Sequence, residues 1–399
     1  MTTQPNALNY TPEPFGSTDA VAILDELVRR ATNLGSSDIH LEPKRDRLQV
    51  RFRIDGTMVE QPSIDLDIST QVISRIKVLA RMDISERRLP QDGQFTLEVG
   101  LGFLVNLRAA TFPCTQGEKL VLRLLLGQNL IAFDKLGFDP VMTARVKEMV
   151  LRPQGFIVTC GPTGSGKTST LYAFMQLLDT AKVNVVTLED PIEVELYTIT
   201  QGQTNPRTGF TFAAGLRSVL RQDPDVILVG EMRDAETAGI ALQAALTGHL
   251  VLSTLHTSDV VETIVRLVDL GIEPWIIANA LSGVIAQRLV RQACPHCRQN
   301  VPLEMDLWDG DEVLLTAGSI VSQPKGCARC HRTGYKGRTG IFQVLEIDDE
   351  LRELVKTKST AAQYRDALRT RKIPSLRRIG FNKVSAGITT VEEVIRVTT

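Results

Sequence analysis

Hydrophobic and polar residues follow two different patterns along the chain, and the pattern changes near residue 127. Before it, "STDAVAILDELVRRATN" repeats apolar residues at helical spacing, while "RLQVRFRIDGTMVE" alternates residue by residue around Asp55-Gly56. The first pattern predicts an amphipathic helix and the second a β-hairpin. A helix in "STQVISRIKVLARM" and strands around "QFTLEVG", "FLVNLRAATF" and "EKLVLRLL" follow. We therefore predict a small α+β domain over residues 17–127, preceded by a disordered leader over residues 1–16.

The pattern after residue 138 is a series of almost wholly apolar strands separated by helical segments. The strands are "GFIVTC", "VNVVTLE", "DVILVGE" and "HLVLSTL". Uninterrupted apolar strands are typical of a parallel sheet that helices cover on both faces. We interpret "VVETIVRLVDLG" and "PWIIANALSGVIAQRLV" as helices, and residues 346–399 as a helical C-terminal region. This predicts an α/β domain over residues 139–399, joined to the first domain by a linker over residues 128–138.

Composition excludes some classes of protein. The 399 residues are 43% apolar and 23% charged, as in ordinary soluble globular proteins. A formal net charge of −1 and an aromatic content of 5% argue against a general nucleic-acid-binding protein. No apolar run is long enough to span a bilayer, and the N-terminus does not resemble a secretory signal. We therefore expect a cytosolic chain that can associate with a membrane only peripherally.

The stretch "TCGPTGSGKTST" carries the most specific chemistry. Two glycines bracket four residues, and a lysine and a threonine follow directly, which is the spacing of a phosphate-binding P-loop. An apolar strand precedes the loop and a helix follows it, so backbone N–H groups at the helix N-terminus can bind phosphate oxygens. Lys167 is placed for the β- and γ-phosphates, and the Thr168 hydroxyl for Mg²⁺. The predicted nucleotide-binding residues are Gly161, Pro162, Thr163, Gly164, Ser165, Gly166, Lys167, Thr168 and Ser169.

An acidic residue and two histidines accompany two further predicted strands. Glu231 ends "DVILVGE", and a carboxylate at such a strand end beside a P-loop positions the metal and its water. Gly230 stands where an aspartate is common, so the motif is a variant. His249 and His256 flank the strand "LVLSTL". The alternative for Glu231 is a solvated strand-end carboxylate. A lone histidine is more often a structural hydrogen-bonding group than a catalyst.

The segment "TLEDPIEVE" follows a third buried strand and is rich in carboxylates. It contains Glu189, Asp190, Glu193 and Glu195 within seven residues. Crowded carboxylates beside bound phosphates need a cation or a proton between them, which suits a general base for water. Composition alone would favour an acidic surface loop. The other motifs shift the interpretation toward catalysis.

Two cysteine pairs predict a metal site. "CPHC" supplies Cys294 and Cys297, and "CARC" supplies Cys327 and Cys330. Two such pairs can place four thiolates around one Zn²⁺ ion, although the 29 residues between them exceed the common spacing and require an ordered excursion. A thiol–disulfide function is the alternative, and neighbouring histidines are possible substitute ligands. These histidines are His296 and His331.

Four blocks of the sequence together resemble one family. "GPTGSGKTSTLY", "VTLEDPIE", "LRSVLRQDPDVILVGEMRDAETA" and "ALTGHLVLSTLHTSD" are similar to the P-loop, Asp box, Walker B and His box of the secretion ATPases, the hexameric motors of type II secretion and type IV pilus assembly. The blocks occur in the family's order and spacing, and the similarity extends from "SSDIHLEP" to "GITTVEEVIRVT". The resemblance implies a RecA-like P-loop ATPase domain preceded by a PAS-like α+β domain, with ATP and Mg²⁺ as its ligands.

The resemblance also implies roles for individual residues. Glu193 would be the base that activates water, Glu231 the Walker B carboxylate, and His249 the histidine near the γ-phosphate. Arg108 and Arg123 of the first domain would be arginine-finger equivalents, since phosphoryl transfer needs positive charge on the transferred group. Without the family, such arginines would be solvated or ion-paired surface residues. The other site residues that the resemblance implies are Glu189, Asp190, Arg217, Arg221 and Arg233.

The cysteine pairs also bear on the kind of motor. Members of the resembled family that assemble or export carry a tetracysteine zinc module, which we place at residues 291–335, whereas retraction motors typically lack it. No "AIRNLIRE"-like motif of retraction motors is present. The resemblance therefore implies a homo-hexameric ATPase, cytoplasmic and peripheral to the inner membrane. It would act through an inner-membrane platform in pilus assembly or type II secretion, without direct binding to nucleic acid.

Two alternatives remain at this stage. A RecA-like nucleic-acid translocase or helicase shares the architecture, and a nucleotide-dependent scaffold would bind ATP without turnover.

In the resembled family a further domain that docks on a membrane-bound partner usually precedes the "DIHLEP" region. Here only about 16 residues precede the first predicted domain, so we expect that docking domain to be absent, either because the chain is truncated or because it reaches its membrane platform by another surface.

Overall fold

A computed structural model of the chain contains two compact units, residues 1–129 and residues 130–399. The structure describes residues 14–15, 19–100, 102–125, 130–310 and 312–399. Most of the predicted leader and the first residues of the predicted linker lie outside these ranges.

The first unit is an antiparallel sheet with two helices. Within the described residues its six strands lie in the order β3-β2-β1-β6-β5-β4. The predicted hairpin at Asp55-Gly56 is confirmed, and both residues have positive φ angles, 48° and 81°, as a tight two-residue turn requires. Leu27 of α1 and Ile76 of α2 are fully buried in one core with the strands. The elements are α1 (Ala20–Asn33), β1 (Ser36–Pro43), β2 (Arg47–Ile54), β3 (Thr57–Asp65), α2 (Leu66–Leu79), β4 (Gln91–Val99), β5 (Phe103–Cys114) and β6 (Gly117–Leu125).

The second unit is built on a mostly parallel sheet, as predicted. Within the described residues its seven strands lie in the order β17-β12-β7-β11-β10-β8-β9, and only β17 is antiparallel to its neighbour. Phe156 and Val158 of β7 enter one core, while Ile157 between them enters the core on the opposite face. Helices cover both faces, which explains the uninterrupted apolar strands.

The elements that build this sheet and cover it are α3 (Pro140–Val150), β7 (Gly155–Cys160), α4 (Lys167–Met175), β8 (Val185–Glu189), β9 (Thr200–Gln203), α5 (Phe212–Val219), β10 (Val226–Val229), α6 (Ala235–Leu246), β11 (Leu250–Leu255), α7 (Val260–Asp269), α8 (Pro274–Ala280) and β12 (Leu281–Ala293). The remaining elements are β13 (Gln299–Pro302), β14 (Leu307–Asp309), β15 (Glu312–Leu315), β16 (Ile320–Gln323), β17 (Tyr335–Glu346), α9 (Asp349–Lys356), α10 (Ala361–Thr370), α11 (Leu376–Ser385) and α12 (Val391–Thr398).

The helix predicted over "PWIIANALSGVIAQRLV" is wrong in its second half. The helix ends at Ala280, and Leu281–Ala293 forms the long strand β12. This strand pairs in parallel with β7 and antiparallel with β17, so it is buried on both faces between two partners. An apolar run of this kind is ambiguous in sequence, and here the tertiary pairing decides in favour of a strand.

The C-terminal region is helical, as predicted. After β17 ends at Glu346, four helices, α9 to α12, complete the described part of the chain. Across the described ranges, every helix is too short or too polar to serve as a transmembrane span.

Candidate active site

The P-loop connects the carboxyl end of β7 to the start of α4. Gly164 and Gly166 have φ angles of 78° and 88°, in the left-handed region that glycine adopts without steric cost. Lys167 is the first residue of α4, and its ammonium donates hydrogen bonds to the carbonyl oxygens of Gly161 (2.7 Å) and Pro162 (3.1 Å). The lysine thus lies folded over its own loop. The left-handed glycines and the lysine at the start of the helix are the geometry of a phosphate-binding loop.

The parallel strands bring other motif residues to the same edge of the sheet. β7, β10, β11 and β8 are parallel neighbours, so their carboxyl ends lie together. Asp190 directly follows β8, Glu231 follows β10, and His256 follows β11. In open α/β sheets, ligands bind at the carboxyl ends of strands. The topology therefore gathers three separate motifs beside the P-loop.

Glu231 is the best-defined carboxylate of this group. Its side chain is 16% exposed, Arg233 forms a close ion pair with it, and Nε2 of His256 lies 3.5 Å from its Oε2. Burial lowers the pKa of Lys167, and the negative charge of Glu231 is one of the groups that oppose this shift. The hydrogen bond to Glu231 raises the pKa of Arg233. A carboxylate at a strand end beside a P-loop can orient a metal-bound water, as the Walker B interpretation requires.

The acidic segment after β8 separates into buried and exposed carboxylates. Glu189 is 3% exposed and accepts hydrogen bonds from Tyr172 Oη, Thr187 Oγ1 (2.6 Å) and Gln201 Nε2 (3.1 Å). Burial and the adjacent Glu189 raise the pKa of Tyr172, so this tyrosine acts as a donor. Glu193, by contrast, is exposed. Because Glu189 already has three donors, we infer that its role in this conformation is to anchor the segment that carries Glu193.

His249 does not lie with the other motif residues, contrary to its predicted position near the γ-phosphate. It precedes β11 at the amino end of the sheet, where its carbonyl oxygen accepts from the N–H of Gly155 (3.0 Å). Its Nδ1 lies 2.9 Å from the carbonyl oxygen of Ala244. β11 spans six residues, which is about 20 Å, and the P-loop lies at its other end. The histidine at the P-loop end is His256.

The predicted arginines lie in three different settings. Arg108 and Arg123 belong to the first unit, directly opposite each other on β5 and β6, and Arg123 Nε lies 2.9 Å from Asp38 Oδ1. Their arginine-finger role stays a prediction. Arg217 forms an exposed ion pair with Glu236 (2.6 Å). A cavity of about 300 Å³ is lined by Glu236 together with the predicted site residues Asp190 and Arg233. A larger cavity of about 530 Å³ opens at the amino ends of β8 and β10, away from the motifs.

The four cysteines of the two pairs come together into one cluster. Their four Sγ atoms all lie within 4.8 Å of one another, with separations of 4.0 Å for Cys294–Cys327 and 3.7 Å for Cys297–Cys330. A tetrahedral zinc site with Zn–S bonds of about 2.3 Å requires S–S separations of about 3.8 Å. All four are free cysteines. The donor set and its spacing therefore fit a structural Zn²⁺ ion.

The described residues of the excursion between the pairs form regular structure. They include two small antiparallel sheets, β13 with β16 and β14 with β15. The cluster includes neither His296 nor His331 among the described residues. The ring nitrogens of His296 lie 3.0 and 3.3 Å from Arg329 Nη1 instead. The excursion thus reunites the two pairs without help from a substitute ligand.

Sequence reasoning missed the contact between His256 and Glu231. The signal was present, because His256 follows its strand at the carboxyl end and His249 precedes the same strand. In a parallel sheet, only residues at the carboxyl ends can meet beside the P-loop. The burial of Glu189 gave no such signal, since it depends on Tyr172 and Gln201, which lie far apart in sequence.

A RecA-like fold, a P-loop and carboxylates at the ends of adjacent parallel strands define a P-loop ATPase. Comparison with known proteins identifies which kind. The family described as "Type II/IV secretion system protein" matches residues 16–396, and the chain belongs to this family. The chain is therefore a secretion-type ATPase, and the nucleic-acid translocase alternative is not favoured.

Two relatives and one solved structure illustrate the similarity. Type II secretion system protein E of Klebsiella pneumoniae is 46% identical over 380 residues, which cover 95% of this chain and 76% of the relative. Type II secretion system ATPase E of Vibrio cholerae serotype O1 is 44% identical over 385 residues, 95% of this chain and 75% of the relative. The crystal structure of the pilus retraction motor PilT with bound ADP is 26% identical, with a TM-score of 0.64 over 94% of this chain and 96% of that one.

Proposed function

We propose that the chain binds ATP at residues 161–169 and hydrolyses it to drive a machine of the secretion or pilus-assembly type. The observation that carries this proposal is the convergence of Lys167, Glu231 and His256 at one edge of the parallel sheet. These residues come from three different motifs. A glycine-rich turn that matched the P-loop spacing by chance would not be expected to lie beside residues of the other two motifs.

Lys167 binds phosphate in this proposal. Its ammonium donates to two carbonyl oxygens of the loop. Phosphate oxygens are stronger acceptors for a cation, so the ammonium exchanges these bonds for bonds to the β- and γ-phosphates. Burial lowers the pKa of Lys167, and the negative charge of a bound polyphosphate would raise it again.

Glu193 is the proposed general base. Its side chain is exposed, and it follows the buried, hydrogen-bonded Glu189 in the same acidic segment. Glu231 orients the attacking water, and Thr168 with Glu231 would hold Mg²⁺, which neutralises phosphate charge when bound. Asp190, Arg217 and Arg233 belong to the surrounding electrostatic shell. Glu193 can accept the proton of the water as the γ-phosphate bond breaks.

The assembly that this activity serves is also a proposal. Membership of the family supports a homo-hexamer at the cytoplasmic face of the inner membrane, acting on a platform protein there. The tetracysteine cluster supports assembly or secretion over retraction, and the relatives named above are type II secretion proteins. Zn²⁺ would be held by the four cysteines and would stabilise the excursion between them.

The experiment that tests this proposal is steady-state ATP turnover across size-exclusion fractions, with and without DNA. We expect turnover in a hexamer-sized fraction, insensitive to DNA and absent in Lys167→Ala. Stimulation by DNA would favour a translocase. Tight ATP binding without turnover in any fraction would favour a scaffold.

A further inference from the structure

A buried glutamine of the strand next to the P-loop contacts that loop. Gln287 of β12 is 1% exposed, and its strand neighbours Ile285 and Ala286 are fully buried apolar residues. Its Nε2 donates a 2.7 Å hydrogen bond to the carbonyl oxygen of Ser165. The partner fixes the orientation of the amide, because a carbonyl oxygen can accept only from the NH₂ group.

Gln287 lies against both ends of the P-loop. A Cβ atom placed on Gly161 would come within 2.6 Å of the backbone carbonyl oxygen of Gln287. A Cβ atom placed on Gly166 would lie 3.4 Å from Nε2 of the same residue. The loop therefore begins and ends in close contact with one residue of β12, and the hydrogen bond to Ser165 lies between these contacts.

The environment of Gln287 is costly for a residue that serves packing alone. Its Oε1 is buried without a hydrogen-bond partner among the described residues, and so is the hydroxyl of Ser165. A buried polar atom without a partner lowers stability, so an apolar side chain would pack better at this position. The hydrogen bond from the side-chain amide to the loop is thus what the polar group of Gln287 contributes.

We propose that Gln287 is a positioning residue for the phosphate-binding loop, which it orients through the Ser165–Gly166 peptide. In a trans peptide the C=O and the following N–H point in opposite directions. Because Gln287 holds the Ser165 carbonyl on the β12 side, the Gly166 N–H is directed to the opposite side of the peptide, at the start of α4. Preorganised N–H groups at that place bind phosphate. The inference rests on the proposed nucleotide site and extends it to a residue outside the loop.

The test compares Gln287→Met with Gln343→Met in the full-length chain. Gln343 of β17 is a matched control, because it is 8% exposed and its Nε2 also donates to a backbone carbonyl oxygen, that of Pro374 (3.1 Å). The Kd for a fluorescent ADP analogue and the KM for ATP are measured together with Tm. We expect both variants to change Tm, and only Gln287→Met to raise Kd and KM, by about tenfold for the loss of one positioned hydrogen bond.

An unchanged Kd in folded Gln287→Met, or an equal rise in Gln343→Met, overturns the proposal. If Gln287→Met does not fold, Gln287→Asn serves instead, since it keeps the amide but is one methylene too short to reach Ser165. Wild-type affinity in that variant likewise overturns the proposal. Nucleotide binding by the wild type, with Lys167→Ala as the negative control, distinguishes a failure of the proposed nucleotide site from a failure of the positioning role. A wild type that fails to bind refutes the nucleotide site, whereas a binding wild type with unaltered Gln287 variants refutes only the positioning role.

Discussion

Nε2 of His256 lies 3.5 Å from Oε2 of Glu231, at the carboxyl edge of the parallel sheet. The two residues follow the neighbouring strands β11 and β10, so the sheet itself sets their separation. Glu231 also contacts Arg233 and lies close enough to Lys167 to affect its pKa. His256 is thus placed to orient the carboxylate of Glu231.

We predict that His256→Ala lowers ATP turnover and that His249→Ala does not. Loss of His256 removes a group next to Glu231, the proposed water-orienting carboxylate, so we expect a reduction of about tenfold or more in kcat. His249 lies at the opposite end of the same strand and serves as the matched control. The measurement is steady-state ATPase activity with Tm checked for each variant. A larger loss of turnover in His249→Ala than in His256→Ala would indicate that His249 acts in the active site.

We predict that Glu193→Gln keeps ATP binding and loses turnover. The amide cannot accept the proton of the attacking water, and a positioned general base contributes about 10²- to 10⁴-fold. Lys167→Ala should instead weaken nucleotide binding itself, because it removes the charge that contacts the phosphates. Equilibrium binding and single-turnover hydrolysis distinguish the two. Near-wild-type turnover in Glu193→Gln would show that another group is the base.

Glu189→Gln provides a separate prediction, because this carboxylate is buried. It accepts three hydrogen bonds, one of them from Tyr172. An amide can accept only part of them and adds donors that lack partners, so we expect a loss of stability of about 1–3 kcal/mol. Tm and urea unfolding measure it. A variant with wild-type stability but no turnover would contradict this anchoring role and indicate a direct catalytic one.

The fold could be predicted from the sequence wherever a hydrophobic pattern or a motif is compatible with a single structure. Strands buried on both faces read as apolar runs, and the P-loop has a spacing that few other structures require. β12 was misread because its apolar residues suit a helix as well as a strand until β7 and β17 are present on either side. Gln287 and Ser165 are 122 positions apart in the sequence, so the local sequence pattern could not predict the hydrogen bond between them.

Removal of the metal should destabilise the excursion between the cysteine pairs. The four thiolates converge from two segments, and without an ion they would repel one another once ionised. We predict that Cys327→Ser or a strong chelator releases bound Zn²⁺ and lowers Tm by several degrees. Cys114→Ser is the control, since Cys114 is an exposed free cysteine outside the cluster. Purified wild-type protein with no bound zinc would contradict the assignment, as would a chelator that leaves Tm unchanged.

The C-terminal helix α12 is attached to β12 by a buried carboxylate whose charge depends on pH. The Glu393 side chain is 0% exposed and forms ion pairs of 2.7 Å with Arg291 and with Arg396. Burial raises the pKa of Glu393, but hydrogen bonds from Arg396 and Arg291 outweigh burial and hold it below the ordinary value of 4.5. The folded protein therefore binds fewer protons here than the unfolded chain does in acid.

It follows that this carboxylate stabilises the fold fully above about pH 4.5, and that the contribution is lost as pH falls toward the lower pKa of the folded state. We predict that Glu393→Gln lowers the free energy of unfolding at pH 7 by about 1–3 kcal/mol, because it removes the buried charge to which Arg291 and Arg396 donate hydrogen bonds. The difference in the free energy of unfolding between Glu393→Gln and wild type should narrow between about pH 5 and pH 3, where the carboxylate becomes protonated. Glu392→Gln, on the exposed side of the same helix, is the control and should match wild type at each pH. Urea unfolding across this pH range measures both variants, and a destabilisation that stays constant with pH would mean that Glu393 acts through packing and not through its charge.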